Sequence, residues 1–183
     1  ERRIQILQAL ASMLEQPGAE RITTAALAAR LHVSEAALYR HFASKAQMFE
    51  GLIDFIESSV FSLLNQITEG PHTTSEKLRR MVTVLLQFAE RNPGMVRVMV
   101  GDALVFENDR LQQRMNLFFD KVEAGLRQVL RDASTDSNTP TVDAQVKASL
   151  LVSFVLGRLQ RFARSGYKRL PLEHLQASLN TLL

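Results

Sequence analysis

Residues 21 to 50 read Arg-Ile-Thr-Thr-Ala-Ala-Leu-Ala-Ala-Arg-Leu-His-Val-Ser-Glu-Ala-Ala-Leu-Tyr-Arg-His-Phe-Ala-Ser-Lys-Ala-Gln-Met-Phe-Glu, and no other stretch limits the fold so strongly. A short helix is expected from Thr24, a turn through Leu31, His32 and Val33, and a second short helix after Ser34, a natural N-cap. Leu27, Leu31, Val33, Leu38 and Phe42 are the apolar pegs expected to lock these pieces together. Two short helices joined this way form a helix-turn-helix, whose second helix enters the DNA major groove. The chain is therefore expected to bind a specific sequence in double-stranded DNA.

The rest of the sequence excludes more than it adds. With 46 % hydrophobic and 22 % charged residues over 183 positions, it reads as an ordinary soluble globular chain able to bury a core. No apolar run reaches the ~18 residues of a membrane span, so none is expected. No signal peptide is visible, and a chain starting at Glu1 is expected to have been processed or to lack preceding residues, among which a basic arm would add DNA affinity. The absence of cysteine removes disulfides, thiolate metal sites and cysteine nucleophiles, and fits a reducing cytosol. His32, His41, His72 and His174 lack metal-ligand or triad spacing, and no Gly-rich phosphate loop occurs. Glu107 and Asp109 are a carboxylate pair of the sort that helix faces often carry. No enzyme, metal or cofactor is expected. A net charge of +3 is too small to argue for nucleic acid by itself. Arg158, Arg161, Arg164, Lys168 and Arg169 form an acid-free cluster that reads as a solvated helix end, or as a surface for an acidic partner or lipid headgroup.

Helical periodicity runs throughout, without a strand pattern, and predicts an all-α fold of about nine helices. Ile4, Leu7, Leu10, Ala11 and Leu14 mark the first helix, which Pro17-Gly18 ends. Ser44 and Gln47 have capping-box spacing at the start of a long helix striped by Phe49, Leu52, Ile53, Ile56, Val60, Leu63, Leu64 and Ile67. At 1.5 Å per residue it spans roughly 35 Å, enough to join a DNA-binding head to a separate body. Thr73 and Glu76 cap a helix that runs to Arg91. Asn92-Pro93-Gly94 breaks it, and a short helix follows to about Gly101. A long helix is expected from Asp102 to Arg131, an exposed loop from Asp132 to Pro140, and a helix from Val142 to Arg164 that is apolar nearly all round between Ala148 and Leu156. Leu172, Leu175, Leu179 and Leu182 mark a last helix. Residues 1–46 form the expected head and 47–183 the helical body.

Ser34, Glu35, Ala36 and Ala37 lead the second motif helix, where side chains reach base edges. Alanine suits a thymine methyl, glutamate accepts from cytosine, and serine bonds base or phosphate. Tyr39, Arg40 and His41 follow one turn later with donors for phosphate oxygens, His41 having packing behind Phe42 as its alternative. Lys45 at the next helix start, with Thr23 and Thr24 across the groove, completes the expected phosphate contacts. Phe55 lies about 100° off its helix's apolar stripe, as a partner anchor or as packing on a neighbouring helix. Phe88, Phe106, Met115, Phe118, Phe119 and Phe154 either fill the core or line a pocket for a small apolar ligand.

Tyr39-Arg-His-Phe42 followed by Ser44-Lys45 and a long helix resembles the TetR family of dimeric regulators, over residues 2 to 55. That resemblance implies a three-helix DNA-binding domain, a C-terminal helical dimerisation domain, and a homodimer formed through the last two long helices. Arg21 to Ala25, Val33 to Phe42, Glu90 to Gly94, Gly101 to Leu111 and, more loosely, Ser165 to Lys168 resemble the nucleoid-occlusion branch of that family. Members of that branch sit on DNA sites spread over the chromosome and antagonise assembly of the division protein FtsZ. The resemblance implies FtsZ contacts at Phe55, Arg91 and Asn92, and a cytoplasmic, nucleoid-associated protein. At two positions this chain departs, with Leu63 where enterobacterial members carry arginine and Gln87 where they carry glycine. A ligand-responsive repressor is the other function the family pattern allows.

Overall fold

A computed structural model of the chain describes residues 1–16, 21–134 and 141–183. Among them are nine α-helices and no strand: α1 (Arg2–Leu14), α2 (Thr24–Arg30), α3 (Glu35–Tyr39), α4 (Lys45–Glu69), α5 (Thr74–Arg91), α6 (Pro93–Met99), α7 (Asp109–Ser134), α8 (Thr141–Arg164) and α9 (Leu175–Leu182). Helices α1 to α3 make the head. In the body α4 and α5 pack against each other, α7 lies along both, and α8 runs beside α7. One buried apolar cluster is continuous from Ile6 in the head to Leu179 in the last helix.

Local chemistry explains most helix ends. The Thr73 hydroxyl accepts from the Glu76 amide while the Glu76 carboxylate accepts from the Thr73 amide, a complete capping box for α5. At α4 the box is only half formed. Ser44 accepts from the Gln47 amide, but Gln47 reaches past it to the Ala43 amide, at 3.0 Å. The turn after α2 places His32 at φ 56, with the His32 and Val33 amides bonded to the Ala29 and Ala28 carbonyls. That is a Schellman closure, and it tucks Val33 back against the core.

Several expectations change. In α1 the buried stripe is Ile6, Leu10 and Leu14, with Ile4 exposed, because the i, i+4, i+8 row faces the body. The expected stop at Pro17-Gly18 lies outside the described residues; α1 already ends at Leu14. Leu63 belongs to no core stripe, being 42 % exposed. Residues 102–108 are not helical beyond a single 3₁₀ turn, Asp102–Leu104. Gly101 enters that segment at φ 90, and the Asn108 side chain accepts from the Arg110 amide, which starts α7 at Asp109. Of the expected loop Asp132 to Pro140, residues 132–134 belong to α7 and the others lie outside the described residues. The final helix is short, eight residues, since Arg158 holds the Pro171 and Glu173 carbonyls in the turns ahead of it.

Head and body meet most closely where α1 crosses α6. A Cβ on Gly94 would stand 2.2 Å from the Ala11 carbonyl oxygen, so only glycine admits this approach. Gly94→Ala is expected to cost about 1–3 kcal/mol through forced separation of the two backbones, read as a lower urea midpoint; an unchanged midpoint would show that the crossing yields freely.

Candidate nucleic-acid interface and partner groove

The head is built so that its apolar pegs face inward and its polar residues outward. Leu27, Leu38 and Phe42 are buried, and Leu31 and Val33 pack against the same cluster. With Leu38 anchored, the helical register turns Glu35, Ala36, Tyr39 and Arg40 to solvent, together with His41 just beyond the helix end; Ala37 is half-buried. Thr23 and Ser34 cap α2 and α3 by accepting from the Ala26 and Ala37 amides at 3.1 and 3.2 Å. A capping hydroxyl uses its oxygen as acceptor and keeps its proton to donate, so both remain competent towards phosphate.

Two neighbouring residues are committed inside the protein. Thr24 Oγ1 donates to Glu35 Oε2 at 3.0 Å and ties the first motif helix to the start of the second. Lys45 Nζ lies 2.6 Å from Glu107 Oε1, a carboxylate that also accepts from Arg21 Nε at 3.4 Å. In this structure the Lys45 ammonium therefore rests on an internal carboxylate rather than in open solvent. Sequence reasoning missed this pairing, and it also missed Arg3. The Arg3 guanidinium donates to the His41 carbonyl at 2.8 Å and stacks 4.2 Å from the Phe42 ring centre, clamping α1 onto the end of α3. Neither contact has a local sequence signal, since the partners stand 62 and 38 residues apart.

A groove of about 470 Å³ runs between α4 and α5, lined by Leu63, Ile67, Arg80, Val84 and Gln87, with Gln176 from α9. The two departures, Leu63 and Gln87, thus face one groove. Further along the same helix pair Phe55 is 45 % exposed, its ring centre 6.1 Å from that of Phe88. Both readings of Phe55 hold in part: one edge packs on α5 and the other is open. The Asn92 side chain donates to the Phe88 carbonyl at 2.8 Å, closing α5, and Arg91 beside it is exposed. Phe88 thereby links two of the three expected partner residues.

The aromatic set offered as core or as ligand-pocket lining is largely core. Phe88, Met115, Phe118 and Phe119 are buried, with the Phe118 and Phe119 rings edge to face, whereas Phe106 is 74 % exposed and points into no core. Within the basic cluster, burial lowers the pKa of the Arg158 guanidinium, which bonds backbone carbonyls and Ser178, and Arg169 pairs with Glu173. That cluster is partly structural.

Comparison with known proteins follows this division. Residues 6–52 match the family model described as bacterial regulatory proteins, tetR family, and residues 72–183 match the tetracyclin repressor-like C-terminal domain of SlmA-like type. The nucleoid occlusion factor SlmA of Idiomarina loihiensis is 51 % identical over 177 residues, covering 96 % of this chain and 90 % of that protein. Its counterpart in Vibrio cholerae is 52 % identical over 172 residues, covering 93 % and 88 %. Among solved structures, the TetR family regulator PfmR from Thermus thermophilus aligns with a TM-score of 0.79 at 22 % identity, covering 98 % of this chain and 97 % of that one. AibR in complex with isovaleryl coenzyme A and operator DNA aligns at 0.77 and 17 %, covering 99 % and 97 %; these two likenesses concern the fold alone.

Because Phe55 is only half packed, Phe55→Ala is expected to cost about 1 kcal/mol, the scale of one aromatic pair, in a calorimetric melt. A loss of about 3–5 kcal/mol, normal for a core phenylalanine, would make it a core residue and remove it as a partner anchor.

Proposed function

The chain belongs to the TetR family, in its SlmA group, and on that premise we propose that it acts as a homodimeric nucleoid occlusion factor. In this reading it binds double-stranded DNA sites on the chromosome and, when bound, engages FtsZ and blocks ring assembly over the nucleoid. The observation that carries the reading is identity of about half the residues along nearly the whole chain with curated nucleoid occlusion factors, body included.

Thr23, Ser34, Tyr39, Arg40 and His41 would hold phosphates, joined by Lys45 once it is freed, while Glu35, Ala36 and Ala37 would face base edges. Thr24 would act chiefly by steadying Glu35. Residues 1–46 would serve as the DNA-binding head and 47–183 as the dimerisation and partner-binding body. For the dimer we favour the outward face of α8 together with α9. On that face Val146 and Leu150 are exposed, and a Cβ on Gly157 would meet nothing within 4 Å. An unpaired apolar stripe of this sort fits a second copy laid against it. For FtsZ we favour Phe55, Arg91 and Asn92 at one end of the α4–α5 groove, with Leu63 and Gln87 modifying its floor. A repressor released by a small apolar ligand has less support, because most of its expected pocket side chains fill the core.

The test is co-sedimentation of GTP-assembled FtsZ with this protein, free or bound to duplexes it selects from a random pool. DNA-dependent loss or remodelling of the polymer is expected; tight DNA binding without any effect on FtsZ would leave a conventional repressor. Since Leu63 is exposed at the groove, Leu63→Arg is expected to strengthen the FtsZ effect without altering DNA affinity. Tyr39→Ala should leave stability within about 0.5 kcal/mol and weaken binding to all duplexes alike, with the salt slope unchanged because a neutral phenol releases no counterion. Weakening confined to one duplex sequence, or none at all, in fluorescence anisotropy would remove Tyr39 from the phosphate contacts.

A further inference from the structure

The carboxylate of Glu107 has the surroundings of a bound phosphate. Its side chain is only 6 % exposed and takes both of its cationic partners from the head: Lys45 Nζ at 2.6 Å and Arg21 Nε at 3.4 Å. Lys45 is the first residue of α4, just after the Ser44 cap, and its side chain is itself 18 % exposed. It also lies over the Phe49 ring, 5.9 Å from its centre. An anion at this place is favoured by the two cationic side chains. Glu107 reaches it from the body, on the segment 102–108 between α6 and α7.

That segment is lightly held. Leu104 is its buried apolar anchor, while Val105 and Phe106 are 68 % and 74 % exposed. Its backbone closes on itself through Leu104 N–H to the Gly101 carbonyl and Glu107 N–H to the Leu104 carbonyl, both at 3.0 Å. Arg97 pairs with Asp102 at its start. Beyond Asn108 it becomes α7, whose Arg110 and Arg114 hold Glu50, Asp54 and Glu57 on α4, on either side of Phe55. If Glu107 let go, the movement would begin at a joint between the DNA-facing end of α4 and its middle.

We propose that Glu107 is an internal phosphate substitute, an autoinhibitory latch that occupies Lys45 and Arg21 in the DNA-free protein and yields them to the DNA backbone, so that DNA binding unfastens segment 102–108 from the head. This rests on the DNA-binding reading above. DNA competes with the latch, and the latch lowers the affinity of the protein for every duplex by the free energy of the two ion pairs it gives up.

The experiment measures DNA affinity by anisotropy for the wild type, Glu107→Gln, Lys45→Gln and the double variant, with one selected and one unrelated duplex. The isosteric Glu107→Gln is expected to tighten binding to both duplexes on the order of fivefold, the worth of such pairs. The gain should shrink in the Lys45→Gln background, where only the longer Arg21 pair at 3.4 Å is left to release. An equal gain in both backgrounds would mean that Glu107 merely repels DNA, and a loss of affinity would mean that it positions Lys45 for DNA; either result overturns the latch. In parallel, hydrogen exchange on the wild-type protein should show the Leu104 and Glu107 amides exchanging at least several-fold faster when DNA is saturating. Unchanged or slower exchange also overturns the proposal, and this arm stands even where a substitution harms folding. Failure of the wild type to bind any duplex would instead overturn the DNA-binding reading itself.

Discussion

The carbonyl of Leu14 ties α1 to both α6 and the turn after α8. It is an end-of-helix acceptor that α1 cannot satisfy from within. Arg97 from α6 and the Tyr167 hydroxyl, from the turn after α8, both donate to it at 3.2 Å. Tyr167 reaches it only because Gly166 and Tyr167 itself both adopt positive φ, at 63 and 66. A bulky residue rarely accepts that conformation, and here its ring is also seated 5.2 Å from Phe162. Burial pushes the phenol pKa upward, which keeps the proton on the donor. Together with the α1–α6 crossing at Gly94, these bonds make α1 a member of two assemblies at once. It completes the three-helix head and it forms one wall of the body.

This double membership changes how the head can move. A DNA-binding unit on a free linker would take up any orientation without disturbing the rest of the chain. Here α1 is fixed to α6 and to the end of α8, so movement of the head against the body must occur at its other attachments. Those include the ion pairs of Glu107 with Lys45 and Arg21, while inside the body the ladder of Glu50, Asp54 and Glu57 facing Arg110 and Arg114 clasps α4 to α7. Within the ladder, burial opposes the charge on Arg114, but bonds from Asp54 and Glu57 outweigh it and raise the guanidinium pKa. The head is therefore held by close backbone packing at α1 and, in addition, by charge at Lys45 and Arg21. The first is insensitive to an arriving polyanion and the second is not.

What the sequence made legible was what local rules govern. The helix-turn-helix follows from capping residues, peg spacing and a turn that closes within six residues, and each of these is decided by near neighbours. The same holds for Thr73 with Glu76 and for the break at Asn92-Pro93. The misreadings share one cause, namely that a distant partner decided the outcome. Ile4 and Ile6 are equally apolar, and only the position of the body chooses Ile6. Leu63 fits a helical stripe by spacing but sits over the opening between α4 and α5. Residues 102–108 carry no strong helix breaker and only Gly101 stands before them, yet they leave the helix, with Glu107 meeting its cations in the head and Asn108 capping a later start. Lys45 reads as a phosphate ligand by motif, and it takes the fold to show which anion it meets in the absence of DNA.

The geometry of α4 brings these strands together. Lys45 opens this 25-residue helix and Phe55 lies ten residues on, about 15 Å along one rigid rod. A helix transmits rotation and translation but does not stretch, so an event at its first turn reaches Phe55 only as movement of the whole rod or of what is clasped to it. The rod is clasped by α7 through Arg110 and Arg114, and α7 begins where segment 102–108 ends. The residue that occupies Lys45 in the free protein is thus on the same stretch of chain that feeds the clasp beside Phe55. The proposed DNA site and the proposed partner site, joined in this way, need no long chain of side-chain relays. They need one helix, one charged joint at its end, and an anion able to replace Glu107 there.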